Sequence, residues 1–141
     1  MAYAVVSDLE DRFDTRELIQ LTDRSTPPAD VVDTAVAQVA LNSAQSEVDG
    51  YVGAKYLLPL SVWPVLLTDL TCDVARYKLY KDQAPDAVLK RYEQAIAKLR
   101  DIAAGRIKID APAGAEPAPR DLVVVTSGPE RRFTRDSLRN F

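Results

Sequence analysis

The 141-residue chain contains no histidine. That removes the side chain that most often serves as a general base near neutral pH, the base of a serine triad and the commonest metal ligand. A single cysteine, Cys72, precludes an intramolecular disulfide, and one cysteine without histidine leaves no nitrogen–sulfur set for zinc. Cys72 falls inside an apolar helical pattern, where a free thiol behaves as a small buried hydrophobe. Glycine is scarce, and its five residues are scattered rather than gathered into a phosphate-cradling loop. No run of eighteen apolar residues occurs, so no membrane-spanning helix is expected. The opening MAYAVVSDLEDRF has no basic leader and turns acidic at once, which fits synthesis in a cytoplasm rather than export.

Nor is there a block of lysine and arginine of the kind that grips phosphate. The net charge of −3 is unevenly spread. Residues 126–141 hold four arginines against Glu130 and Asp136, a balance of +2, while the remainder holds 14 basic and 19 acidic side chains, a balance of −5. An acidic body with a basic tail fits head-to-tail self-association better than capture of nucleic acid.

What is present reads as mainly α: a helical bundle with one long helix, short β segments near the C-terminus and an extended C-terminal arm. Residues 1–110 are long enough for one hydrophobic core. Ser7 and Glu10 have the spacing of a capping box for a first short helix, and Asp14 can cap a second over Thr15–Leu21. The long helix is predicted from Pro28 or Ala29 to about Val52, with Val32, Ala35, Val36, Val39, Ala40, Ser43, Glu47 and Tyr51 as its core stripe and Gly50 and Gly53 weakening its end. Its valines and alanines let neighbouring helices approach closely. Lys55–Leu66, with Pro59 and Pro64, is an extended apolar connector that either packs over the core or meets another subunit. A helix from Pro64 to about Tyr80 presents Val65, Leu66, Leu70, Val74 and Tyr77 on apolar faces. The last body helix, Asp86–Ala104, repeats Val88, Leu89, Tyr92, Ile96, Leu99 and Ile102, and stops at Gly105. Gly105–Asp110 alternates as a short strand or extended exit.

Beyond lie a Pro/Ala-rich linker (111–121) and a strand-and-docking arm (122–141). Leu122-Val123-Val124-Val125 is a short apolar strand, and Arg131, Arg132, Phe133, Arg135, Arg139 and Phe141 interleave cations with aromatics. Exposed phenylalanine gains nothing in water, and arginine and aromatic residues are enriched at binding anchors. The strand can add to a sheet on another chain. The densest acidic group, Asp8, Glu10, Asp11 and Asp14, suits a solvated helix start, since negative charge is favoured there and its ligands do not converge for a cation. No catalytic residue, cofactor site or metal site is expected.

The order of these motifs resembles a known family. It comprises the acidic N-terminal helix pair; the Ser43–Val52 helix end closing on Glu47-Val48-Asp49-Gly50-Tyr51-Val52; Lys55-Tyr56 with Leu58-Pro59-Leu60; Ala75-Arg76-Tyr77 with Leu79-Tyr80; the Arg91–Gly105 pattern; and the Arg131–Phe141 ending. Together they resemble Mu-like phage and prophage proteins, a domain of unknown function from the head–tail gene cluster. That family in turn looks like the helical head–tail connector (adaptor, head-completion) proteins of long-tailed phages. The resemblance implies a virion structural protein of the neck, made in the bacterial host cytoplasm. It implies a homo-oligomeric ring of about twelve copies under the portal protein, touching a tail terminator or other neck proteins, with DNA passing through without sequence-specific binding. Leu122, Val123, Val124, Val125, Arg131, Arg132, Phe133, Arg135 and Phe141 would be the assembly contacts. From the residues alone, a small helical regulatory or assembly-chaperone protein that binds a partner through its tail remains open, as does, more remotely, an enzyme working through carboxylates.

Overall fold

A computed structural model describes residues 2–81 and 83–110. Five helices form its body: α1 (Val6–Arg12), α2 (Thr15–Thr22), α3 (Thr34–Val52), α4 (Val65–Leu79) and α5 (Asp86–Ala103). There is no strand among the described residues: the expected strand or extended exit at Gly105–Asp110 is a turn at Gly105 and a bend through Ile107, both Arg106 and Ile107 donating their N–H groups to the Asp101 carbonyl, before irregular chain at 108–110. The proposed strand at Leu122–Val125 and the arm lie outside the described residues.

Local chemistry sets the helix starts. α1 begins at Val6 rather than after Ser7: the Asp8 carboxylate accepts the Val5 N–H at 2.8 Å, so aspartate, not the expected Ser7 and Glu10 pair, closes its first turn. Asp14 caps α2 as expected, accepting the Arg16 N–H. The long helix starts later than its pattern suggests. The Asp23 carboxylate gathers the N–H groups of Ser25, Ala29 (2.7 Å) and Asp30 (3.0 Å), and Asp30 sits at φ 53°. A loop pinned this way cannot be helical, so α3 waits for Asp33, which caps Ala35 and Val36. The Ser25 hydroxyl, which donates to the Asp23 carboxylate, and then the N–H bonds of Ser25, Ala29 and Asp30 hold that carboxyl down to about 2. Thr22 joins the two ends: its hydroxyl donates to the Leu18 carbonyl and accepts the Asp33 N–H.

The core stripe of α3 is rotated from the expected one. Ala37, Ala40, Leu41, Ala44, Val48 and Val52 are buried, whereas Val39 is 69% exposed. The shift of one residue turns the helix by about 100°. Val32, Val36 and Tyr51 are left at the margin of the core. Small residues at 37, 40 and 44 let α3 pack closely against its neighbours, as its composition promised.

α4 is the central helix. Leu67, Leu70, Thr71, Cys72, Val74, Ala75 and Leu79 are all buried, more than one face; Val65, expected to be apolar and inward, is 69% exposed. Its charged residues reach four different elements. Asp69 takes Arg12 of α1 at 2.8 Å, Asp73 takes Arg91 of α5 at 3.5 Å, Arg76 takes Glu17 of α2 at 2.8 Å and Lys78 takes Glu47 of α3 at 2.9 Å. α5 follows its predicted pattern at Val88, Ile96, Leu99 and Ile102, which are buried; Ala95 joins them, Tyr92 is partly buried, and Leu89, expected on the stripe, lies at the surface. Gly105 ends it at φ 73°, a conformation that glycine adopts without a Cβ penalty.

Replacing Leu41, buried on the rotated stripe of α3, by alanine is expected to lower the unfolding free energy by about 2–5 kcal/mol. Val39→Ala should stay within about 0.5 kcal/mol, because the site is exposed. Urea denaturation of the two variants checks the register of α3; equal losses would refute it.

Candidate assembly surface

Four polar or aromatic clusters tie the body together. At the first, the Arg76 guanidinium donates to both oxygens of Glu17 at 2.9 and 2.8 Å, a fork-to-fork pair. The Tyr80 hydroxyl also donates to Glu17. The Phe13 ring lies under Arg76, 4.6 Å from centroid to guanidinium carbon, and near Arg91 at 5.9 Å. At the second, Tyr77 and Tyr92 stack at 4.1 Å, and the Tyr92 hydroxyl donates to Glu47 at 3.0 Å. Burial first, then that bond, pushes Tyr92 up to about 12. At the third, the Tyr3 hydroxyl donates to Asp49 at 2.6 Å, and burial ahead of Asp49 raises its pKa. The fourth is the acidic start of the chain: Asp8 and Asp14 serve as helix-end acceptors, and Arg12 lies 3.6 Å from Asp8. In the first three clusters the polar groups meet partners within the body. No group of three or more His, Cys, Asp or Glu is placed to hold a metal ion among the described residues.

Two surfaces are not saturated. The first is a groove of about 570 Å³ between the first turns of α3 and the end of α4. Val36, Val39, Ala40, Tyr77 and Leu79 form its apolar floor, with Ser43 beside them, and Arg24, Lys78 and Lys81 form its rim. Lys78 is occupied by Glu47 and Ser43. The side chains of Arg24 and Lys81 have no hydrogen bond or ion pair among the described residues; the Lys81 backbone N–H donates to the Lys78 carbonyl at 3.3 Å. The second is the connector between α3 and α4. Tyr56 and Leu60 are buried, and Trp63 packs edge-on to Tyr3 at 5.8 Å. Leu57, Leu58, Val62 and Val65 stand exposed. The packing reading of the connector holds for Tyr56, Leu60 and Trp63, while Leu57, Leu58 and Val62 face solvent. α3 and α4 are antiparallel, so the groove and the connector apex lie at opposite ends of the pair.

The sequence-predicted contacts Leu122, Val123, Val124, Val125, Arg131, Arg132, Phe133, Arg135 and Phe141 lie outside the described residues. The chain leaves the body at the connector end, where Ile109 is buried and its N–H donates to the Tyr56 hydroxyl at 3.1 Å. Sequence reasoning missed the groove because Val36 and Val39 had been assigned to the core. The available signal was Leu41, which the expected stripe leaves outside and which only the rotated stripe takes in.

The sequence profile described as Bacteriophage Mu, Gp36 matches residues 3–126. The chain is 34% identical over 131 residues to Gene product J of Escherichia phage Mu, covering 92% of each. It is 36% identical over 107 residues to the Mu-like prophage FluMu protein gp36 of Haemophilus influenzae, covering 76% of this chain and 74% of the relative. The profile match takes in Leu122–Val125 and stops short of Arg131–Phe141. No helix among the described residues is long and apolar enough to cross a membrane.

Cys72 is fully buried, and burial pushes its thiol up to about 12 from the ordinary 9.0. A folded-state value above the unfolded one adds stability below about pH 9 that is lost as the pH rises towards 12. At pH 8 the folded protein should resist a thiol reagent, because reaction needs an opening of the core. One equivalent should react in denaturant; prompt stoichiometric reaction of the folded chain would show that α4 is not buried as described.

Proposed function

The chain belongs to the Bacteriophage Mu Gp36 family of phage and prophage proteins, and from that premise we propose that it is a head–tail connector of the virion neck. In this reading it forms a closed ring under the portal protein, completes the head, lets DNA pass and presents the surface on which a tail terminator or other neck protein docks.

One observation carries the reading: two unlike uncovered surfaces lie at opposite ends of one rigid helix pair. A ring is closed by heterologous contacts, in which one patch of each copy meets a different patch of the next. A twofold dimer would need only one self-complementary patch. The groove is apolar with a cationic rim, and the connector apex is apolar and uncharged, so they are unlike by chemistry as well as by position. Charge supports the DNA channel. Residues 1–110 contain 13 basic and 17 acidic side chains, and Arg12, Arg76, Lys78 and Arg91 are held by carboxylates of neighbouring elements. A lumen that must let the duplex slide gains nothing from gripping phosphate.

Electron microscopy of particles in which this chain is labelled should find it as a ring at the neck. A label that never appears in finished particles would overturn the connector reading and favour an assembly chaperone. Removing residues 120–141 should leave a helical body of unchanged circular dichroism together with heads that fail to gain tails. Normal head completion by the truncated chain would show that the arm is dispensable.

A further inference from the structure

Resting on the ring reading above, we propose that the groove between α3 and α4 is the seat for Asp121–Val125 of a neighbouring copy. The occupant must bring apolar side chains for Val36, Val39 and Tyr77 and an acidic group for Arg24 and Lys81, two lining cations whose side chains have no ion-pair partner among the described residues. Asp121-Leu122-Val123-Val124-Val125 supplies both in five residues. Arg120 precedes it, so the complementarity is between single groups rather than net fields. The tail beyond does not fit: Arg131, Arg132, Arg135 and Arg139 would be repelled by the same rim.

Two further observations favour this occupant. Strand addition needs a strand edge, and the body has none among its described residues. The apolar run must therefore be covered by a groove rather than by an edge of this body. The family profile also spans seat and occupant together, running through residue 126 and ending before the Arg/Phe tail.

Reach permits it. The chain departs beside Tyr56, just past the end of α3 at Val52, which lies about 20 Å along the helix from Val39 at 1.5 Å per residue. Eleven residues, 111 to 121, have a contour length of at most about 35–40 Å, longer than the distance along α3 from its end to Val39.

The test uses the full chain with Val39→Cys and Val124→Cys, assembled into particles under reducing conditions and then oxidised. Cys72 can stay, since it is buried. Denaturing electrophoresis without reductant should show a ladder of covalent oligomers that needs both new cysteines. A neck ring present by microscopy but without a ladder would overturn this seat and leave the ring intact. A monomer closed on itself by an internal bond would overturn it in favour of the chain's own groove. Absence of the chain from the neck would remove the ring reading and this inference with it. As a second variant, Val39→Lys on this exposed position should keep the helical signal and lower incorporation into particles about fivefold or more, the cost of a cation in an apolar seat already rimmed by cations. Unchanged incorporation of that variant would also overturn the proposal.

Discussion

The architecture depends on one constraint: α4 is enclosed on several sides at once. A helix with an apolar majority around its circumference has to find several neighbours, and each must present its own apolar face. The charges of α4 then decide which neighbour goes where. Asp69, Asp73, Arg76 and Lys78 each meet an opposite charge on a different element, namely α1, α5, α2 and α3. Individually such partly exposed pairs contribute little stability, from about 0 to 1 kcal/mol. Collectively they discriminate, because exchanging a neighbour that presents arginine (α1 or α5) with one that presents glutamate (α2 or α3) would set like charges face to face. Burial supplies the free energy, and the ion pairs supply the arrangement.

Sequence legibility followed the same division. α5 was readable at Val88, Ile96, Leu99 and Ile102 though not at Leu89, because it has one apolar stripe on an otherwise charged surface, and a period is then nearly unambiguous. The end of α3 and the stop at Gly105 were readable from glycine alone. α3 itself was not. Its first half is a mixture of valine and alanine on most faces, so two stripes one residue apart score almost equally. Only tertiary packing on α4 and α5 selects the one through Leu41, Ala44 and Val48. Its start was hidden for a different reason: Asp23 binds N–H groups six and seven residues away, a loop closure that no local helix pattern records. The Ser7 cap failed because Asp8 was the better-placed acceptor.

The misread register also hid the groove. Val39, taken as core, belongs to a surface that remains uncovered in the isolated chain. A hydrophobic residue mistaken for core and a hydrophobic residue waiting for a partner look identical in a sequence, since both are apolar positions in a helical period. Among the residues expected to make contacts from the sequence, the arm was chosen for its unusual composition. The groove needed coordinates, because its cations Arg24 and Lys81 are separated by more than fifty positions and converge only when α3 and α4 lie side by side.

The placement of Trp63 has a practical result. It is the only tryptophan in the chain, half-sunk at the connector with Tyr3 against its ring. Its emission therefore samples the polarity of that one end, with the nearby phenol as an energy donor, and is blind to events beyond the far tip of the hairpin. Anything that settles over Leu57 and Val62 would dehydrate the indole and shift its colour, while a guest lodged among Val36 and Val39 would leave it unchanged. The molecule thus holds its own spectroscopic label, one that tells its two termini of contact apart without any dye.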